Sequence, residues 1–83
     1  MDEVELRREA QDRMRQGALP AEEPVRIWAG PGTGEFCALC DDPIATGETE
    51  LELEYPDNGG CRLHTRCHVL WELARLSSVE PAD

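Results

Sequence analysis

The chain gathers all of its cysteines and histidines into one stretch, which begins with Cys37-Ala-Leu-Cys40 and ends with Cys61-Arg-Leu-His64-Thr-Arg-Cys67-His68. Within it, Cys37 pairs with Cys40 and His64 with Cys67. Each pair has two residues between its members, and 23 residues separate the pairs. Tetrahedral structural zinc sites are built from two such close pairs of ligands. The stretch therefore predicts one zinc ion held by these two pairs.

Six side chains compete for the four positions. A rival set replaces Cys67 by Cys61, which also has two residues between itself and His64. Cys61 is expected instead to be a small buried residue, because three residues before His64 on an extended chain its side chain faces the other way. His68 points about 100 degrees around a helix from Cys67 and is expected at the surface or behind a ligand. Four protein ligands leave no open position on the ion, so no catalytic residue is predicted.

The size of the chain makes a metal important. With 83 residues, 40% of them hydrophobic, there is room for one domain whose core is marginal without a further constraint. Structural zinc contributes about 10–16 kcal/mol of apparent binding free energy at neutral pH, whereas a domain has a net stability of about 5–15 kcal/mol. Metal binding is therefore expected to decide whether the chain folds.

The charge of the chain restricts its partners. The formal net charge is −10, from 18 acidic residues against eight basic ones, all arginine. Nucleic acid and anionic membranes are disfavoured, because both require a basic surface. The chain has no apolar run of the roughly 18 residues that a membrane span needs, and its first residues are acidic, unlike a secretory signal. A cytoplasmic location is expected, where close cysteines are metal ligands rather than disulfides.

Residues 1–17 predict an amphipathic helix. Asp2 can cap it, and Glu5 completes a capping-box pattern. The apolar stripe Leu6, Ala10 and Met14 is narrow, and Gly17 suits the left-handed position at the end of a helix. The stripe either packs on the zinc module of its own chain or docks on another protein or a second copy.

Residues 18–36 predict a connector with a short edge strand. Trp28 within it is expected to be a core residue or a lid over the zinc module. The glycines at 30–34 predict a turn rather than a phosphate loop, because the lysine of such a loop is missing.

Residues 37–78 predict a zinc knuckle, a β-hairpin and a helix. The segment 48–55 alternates glutamate with apolar or β-branched residues, so one face is expected in the core and the glutamates in a solvated row. A turn at 56–60 leads to a returning strand at 61–63. A helix over 65–76 presents a broad apolar face to the hairpin, and this face comprises Leu70, Trp71, Leu73, Ala74 and Leu76. Residues 79–83 are expected to form a frayed tail.

This order of elements resembles a treble-clef zinc finger, and the spacing Cys37-x2-Cys40-x23-His64-x2-Cys67 is similar to the first zinc site of LIM domains. The resemblance covers about half of the chain. It implies a small α+β zinc-stabilised domain preceded by an N-terminal helix. Treble-clef folds serve many functions, and the chain lacks the second metal site of LIM or RING domains.

These observations favour a small acidic zinc module that acts as a protein interaction or adaptor unit without catalysis. The alternative is a redox or zinc-responsive regulator in which Cys37, Cys40 or Cys61 reacts. Rapid alkylation of a cysteine while metal stays bound would favour the regulator. A protein partner is expected, and neither its identity nor the oligomeric state follows from the sequence.

Overall fold

The computed structural model describes residues 2–56 and 59–78 and has an α+β architecture. In the described part a three-stranded antiparallel sheet has the order β1-β2-β3, the two helices pack on each other, and α2 also packs on β2 and β3. The predicted tail at 79–83 and the centre of the predicted turn at 56–60 lie outside the described residues. The elements are α1 (Glu3–Gln16), β1 (Arg26–Pro31), β2 (Thr49–Glu54), β3 (Gly60–His64) and α2 (Thr65–Ser78).

Helix α1 has the caps that its sequence predicts. The Glu5 backbone N–H donates to the Asp2 carboxylate at 2.9 Å, and the Asp2 N–H donates back to the Glu5 side chain. Gly17 ends the helix with a left-handed φ of 80°. Leu6 and Ala10 are buried in the core shared with α2. The stripe of α1 therefore packs on its own chain, the first of the two expected arrangements.

The core lies between the two helices and the inner face of β2 and β3. The Trp71 indole N–H at its centre donates to the Pro20 carbonyl at 2.8 Å, which fastens the connector to α2. Leu39 is fully buried, so the turn between the first two cysteines belongs to the core. The buried apolar residues are Leu6, Ala10, Leu19, Cys37, Leu39, Ile44, Leu53, Leu63, Cys67, Leu70, Trp71 and Ala74.

The apolar face of α2 is narrower than predicted. Leu70, Trp71 and Ala74 are buried, but Leu73 and Leu76 are exposed. The helix packs more extensively on α1 than on the hairpin. Because α1 and the sheet together cover only one side of α2, the flank that carries Leu73 and Leu76 stays open.

The prediction that Trp28 is a core or lid residue is wrong. Trp28 lies on β1, which α2 does not cover, and its side chain is 51% exposed. The indole N–H donates to the Glu54 carboxylate at 2.8 Å, and the Arg26 guanidinium lies 5.3 Å from the ring centroid. The tryptophan therefore belongs to the outer surface of the sheet.

The prediction of a solvated glutamate row is wrong at Glu50, which is 7% exposed, while Glu52 and Glu54 face water. The Thr33 N–H and hydroxyl donate to Glu50 at 3.1 and 2.9 Å, and the Arg62 guanidinium donates at 2.9 Å. Burial alone would raise the pKa of Glu50, but these donors outweigh it and hold the pKa below its usual value. A buried carboxylate needs such partners to stay charged.

We expect Glu50→Ala to lower the free energy of unfolding by about 1–3 kcal/mol, because it leaves the Thr33 and Arg62 donors without their acceptor. Glu52→Ala is the matched control, since Glu52 lies on the same sheet face but is exposed, and its effect should stay within about 0.5 kcal/mol. Urea unfolding followed by circular dichroism measures both. Equal losses for the two variants would contradict a structural role for Glu50.

Candidate metal centre

Four donor atoms converge at one place, from Cys37, Cys40, His64 and Cys67, and all lie within 4.8 Å of one another. The Cys40 sulfur is 3.4 Å from Nδ1 of His64. In a tetrahedral zinc site, bond lengths of about 2.0–2.3 Å place the donors about 3.5–3.8 Å apart. The cluster is therefore shaped to hold one metal ion with only a small contraction.

A tight turn over residues 37–42 supplies the two N-terminal cysteines. The Asp41 N–H donates to the Cys37 carbonyl at 3.0 Å, and the Cys37 N–H donates to the Asp42 carbonyl at 2.8 Å. Asp41 has a φ of 66°, in the left-handed region that a tight turn requires. The Ala38 N–H donates to the Arg62 carbonyl at 2.8 Å, which attaches the turn to the outer edge of β3.

The other two donors come from the junction of β3 and α2. His64 is the last residue of β3, and Cys67 lies in the first turn of α2. The Cys67 thiol donates to Cys37, and backbone N–H groups of Cys40, His64 and Leu39 also favour the Cys37 thiolate. Burial alone would raise the pKa of Cys37, but these hydrogen bonds outweigh it and lower the pKa to about 4. The pKa of Cys67 is raised, because its proton is held by Cys37 and because the group is buried.

Glu48 orients the histidine ring. Its carboxylate lies 3.4 Å from Nε2 of His64 and also accepts the Ala45 N–H at 2.9 Å. Carboxylates that hold the second nitrogen of a histidine direct the first towards a metal. Burial opposes the charged form of His64, but Cys37 and Glu48 outweigh it and raise the pKa of the ring. Sequence reasoning missed this role, because Glu48 belongs to the alternating strand pattern.

Arg13 ties α1 to the cysteine turn. Its guanidinium donates to the Ala38 carbonyl at 2.8 Å, to both oxygens of Asp41 at 2.7 and 3.1 Å, and to Glu9 at 2.7 Å. The hydrogen bonds from Arg13 hold the pKa of Asp41 below its usual value. Sequence reasoning missed this link, because Arg13 and Asp41 are 28 residues apart.

The two further candidate ligands lie outside the cluster. Cys61 is half-buried on β3, and burial raises the pKa of its thiol to about 11. His68 is half-buried, and its ring centroid lies 5.7 Å from that of Trp71. The Nε2 atom of His68 is enclosed and has no hydrogen-bond partner among the described residues. The structure thus favours Cys67 over Cys61 as the fourth donor.

No family model, curated protein or solved structure matches this chain. Within residues 2–56 and 59–78, neither helix combines the length and apolarity needed to cross a bilayer. The function is therefore inferred from the residues of the chain itself.

Exchanging single cysteines tests the donor set. We expect Cys67→Ser to lower the metal affinity at least tenfold, because it removes a donor, whereas Cys61→Ala should keep one ion per chain. Elemental mass spectrometry after dialysis against a weak chelator measures both. The reverse result would show that Cys61 takes the fourth position.

A second prediction concerns Arg13. We expect Arg13→Gln to lower the free energy of unfolding by about 1–2 kcal/mol and to weaken metal binding several-fold, because the cysteine turn loses a charged donor. Arg15→Gln is the matched control on the same helix, since Arg15 is exposed and pairs only locally with Asp12 in the described structure. Urea unfolding and competition with a zinc chelator give the two values. Identical behaviour of the two variants would exclude a role for α1 in the site.

Proposed function

We propose that this chain is a structural zinc module of the treble-clef type that acts as a protein interaction or adaptor unit. The observation that carries the zinc assignment is the Cys3His cluster, with its donors on the cysteine turn, the end of β3 and the first turn of α2. Three thiolates and an imidazole form a donor set that suits zinc. The order of turn, hairpin and helix supports the treble-clef assignment.

The zinc in this proposal holds the fold together. Cys37 and Cys67 are buried in the apolar core, so an ion bound there joins the cysteine turn to α2 from within. The four donors complete a tetrahedral shell, which leaves no position for a substrate or an activated water. We therefore propose no catalytic activity for the chain.

The interaction role rests on the surface. Large apolar side chains are exposed on both helices, on and just before β1, and just before the cysteine turn, and such side chains offer apolar surface to a partner. They are Val4, Val25, Ile27, Trp28, Phe36, Val69, Leu73 and Leu76. The net charge of −10 favours a protein partner with basic groups over nucleic acid. A reducing cytoplasm would keep the four cysteines free of disulfides and so available to a metal.

The alternative, a regulator that works through a reactive cysteine, is less well supported. Cys37 has a lowered pKa but is 1% exposed, and Cys40 is half-buried with a raised pKa. Cys61, the one described cysteine outside the cluster, has a pKa raised to about 11 by burial, so little of it is thiolate at neutral pH. Reactive cysteines need a lowered pKa and access to solvent. The structural role is the better supported of the two.

Metal analysis with chelation tests the zinc role. We expect one zinc per purified chain, loss of helical circular dichroism on adding a strong chelator, and recovery when zinc is restored. Lowering the pH should also release zinc, because protons compete for the thiolates. A metal-free chain with an unchanged spectrum would contradict a structural zinc site.

A further inference from the structure

The two edges of the sheet differ. On the outer edge of β3, the Ala38 N–H donates to the Arg62 carbonyl, so the cysteine turn covers that edge. Strand β1 forms the other edge and pairs only with β2 in the described part of the chain. The outer edge of β1 is therefore open to another strand.

The register shows which backbone groups point outwards. Paired residues of β1 and β2 have numbers that add up to 80, as in Trp28 opposite Glu52. Gly32 and Glu48 continue this register, and the Gly32 N–H donates to the Glu48 carbonyl. In an antiparallel pair, hydrogen-bonded positions alternate, so even-numbered residues of β1 bond to β2. Ile27 and Ala29 accordingly direct their N–H and C=O groups to the open edge. Pro31 follows and has no N–H, which ends the run.

One face of this edge carries a cleft of about 190 Å³. Its floor is Gly30, and Trp28 and Glu52 are among its walls. A Cβ atom added at Gly30 would meet nothing within 4 Å, and the residue does not have a left-handed φ. The cleft therefore exists because a side chain is absent, and not because the backbone needs glycine.

The chemistry of the cleft suits a cation. The Glu52 carboxylate is about half exposed, so a second cation can reach it beside the Arg62 guanidinium, which lies 3.8 Å away. Glu54 lies next to Glu52 on the same face and accepts the Trp28 indole N–H. Both glutamates are on β2, about 10 Å from a strand added outside β1, and a lysine or arginine side chain reaching towards the glutamate side chain can span this distance. The Trp28 ring offers an aromatic surface for the same group, as the Arg26 guanidinium 5.3 Å from its centroid illustrates.

We propose that the outer edge of β1 binds an extended peptide with alternating basic and apolar residues. The peptide pairs with the outward backbone groups of Ile27 and Ala29. One of its basic side chains enters the cleft over Gly30, between Trp28 and Glu52, and its apolar side chains lie against Ile27 on the other face. This inference rests on the proposed interaction role and gives that role a surface and a partner chemistry.

Charge complementarity selects this occupant over a second copy of the chain. A second copy would bring another ten negative charges, so the two chains would repel each other. A basic peptide is attracted by the same field. The two occupants respond oppositely to salt, because screening weakens the peptide complex and favours association of like-charged chains.

The test uses the zinc-loaded protein and a fluorescein-labelled peptide of sequence Lys-Val-Arg-Val-Lys, with binding followed by fluorescence anisotropy. We expect Gly30→Val, which fills the cleft, to weaken binding at least tenfold, and Glu52→Gln to weaken it about threefold or more. Glu23→Gln, an exposed carboxylate in the connector, removes the same charge and should have little effect. A peptide N-methylated at the pairing residues should bind at least tenfold more weakly.

Two results would overturn the inference even if the peptide binds. One is binding that is insensitive to Gly30→Val and N-methylation and is reduced equally by Glu52→Gln and Glu23→Gln, since this would show diffuse charge attraction only. The other is self-association through β1 in sedimentation that strengthens with salt. Failure of the peptide to bind a folded, zinc-loaded chain would remove the inference and leave the zinc site standing. Peptide binding by a folded, metal-free chain would support the inference and contradict the structural role of zinc.

Discussion

The structure depends on the contact between Cys37 and Cys67. These residues lie 30 positions apart, and both are buried where the cysteine turn reaches the first turn of α2. Three thiol groups share this space within 4.8 Å, so they cannot all ionise unless a cation compensates their repulsion. The hydrogen bond between them lowers the pKa of Cys37 and raises that of Cys67, so one thiol of the pair keeps its proton when no cation is bound. A metal ion at this site would replace that hydrogen bond by bonds to all four donors.

The four donors are supported by three groups, two on the cysteine turn and one on His64, and each comes from a different part of the chain. Arg13 on α1 holds the Ala38 carbonyl and Asp41, the Arg62 carbonyl on β3 accepts the Ala38 N–H, and Glu48 holds the ring of His64. Preorganised ligands bind metal more tightly, because less conformational freedom is lost on binding. Helix α1 thus contributes to the site although it carries no donor.

The features that could be predicted from the sequence are those that depend on interactions between residues close together in the chain. The caps of α1, the alternation in β2 and the spacing of the cysteines each depend on residues a few positions apart. Trp28, Glu50 and Arg13 could not be placed in this way. Their environments depend on which strand the helices cover, which loop folds over the sheet and which turn approaches α1. Periodicity assigns a residue to a face, but only tertiary packing decides whether that face is covered.

The position of the metal site explains why β1 remains open. The cysteine turn closes the β3 edge, and α2 is anchored at its first turn to the same side, so its apolar residues cover β2 and β3. Helix α1 packs on α2, and neither helix packs on β1 among the described residues. The candidate metal site and the open edge consequently lie at opposite edges of one sheet. Under the two proposals, an ion at this site would support the fold without touching the partner, so metal loss would affect partner binding only through the fold.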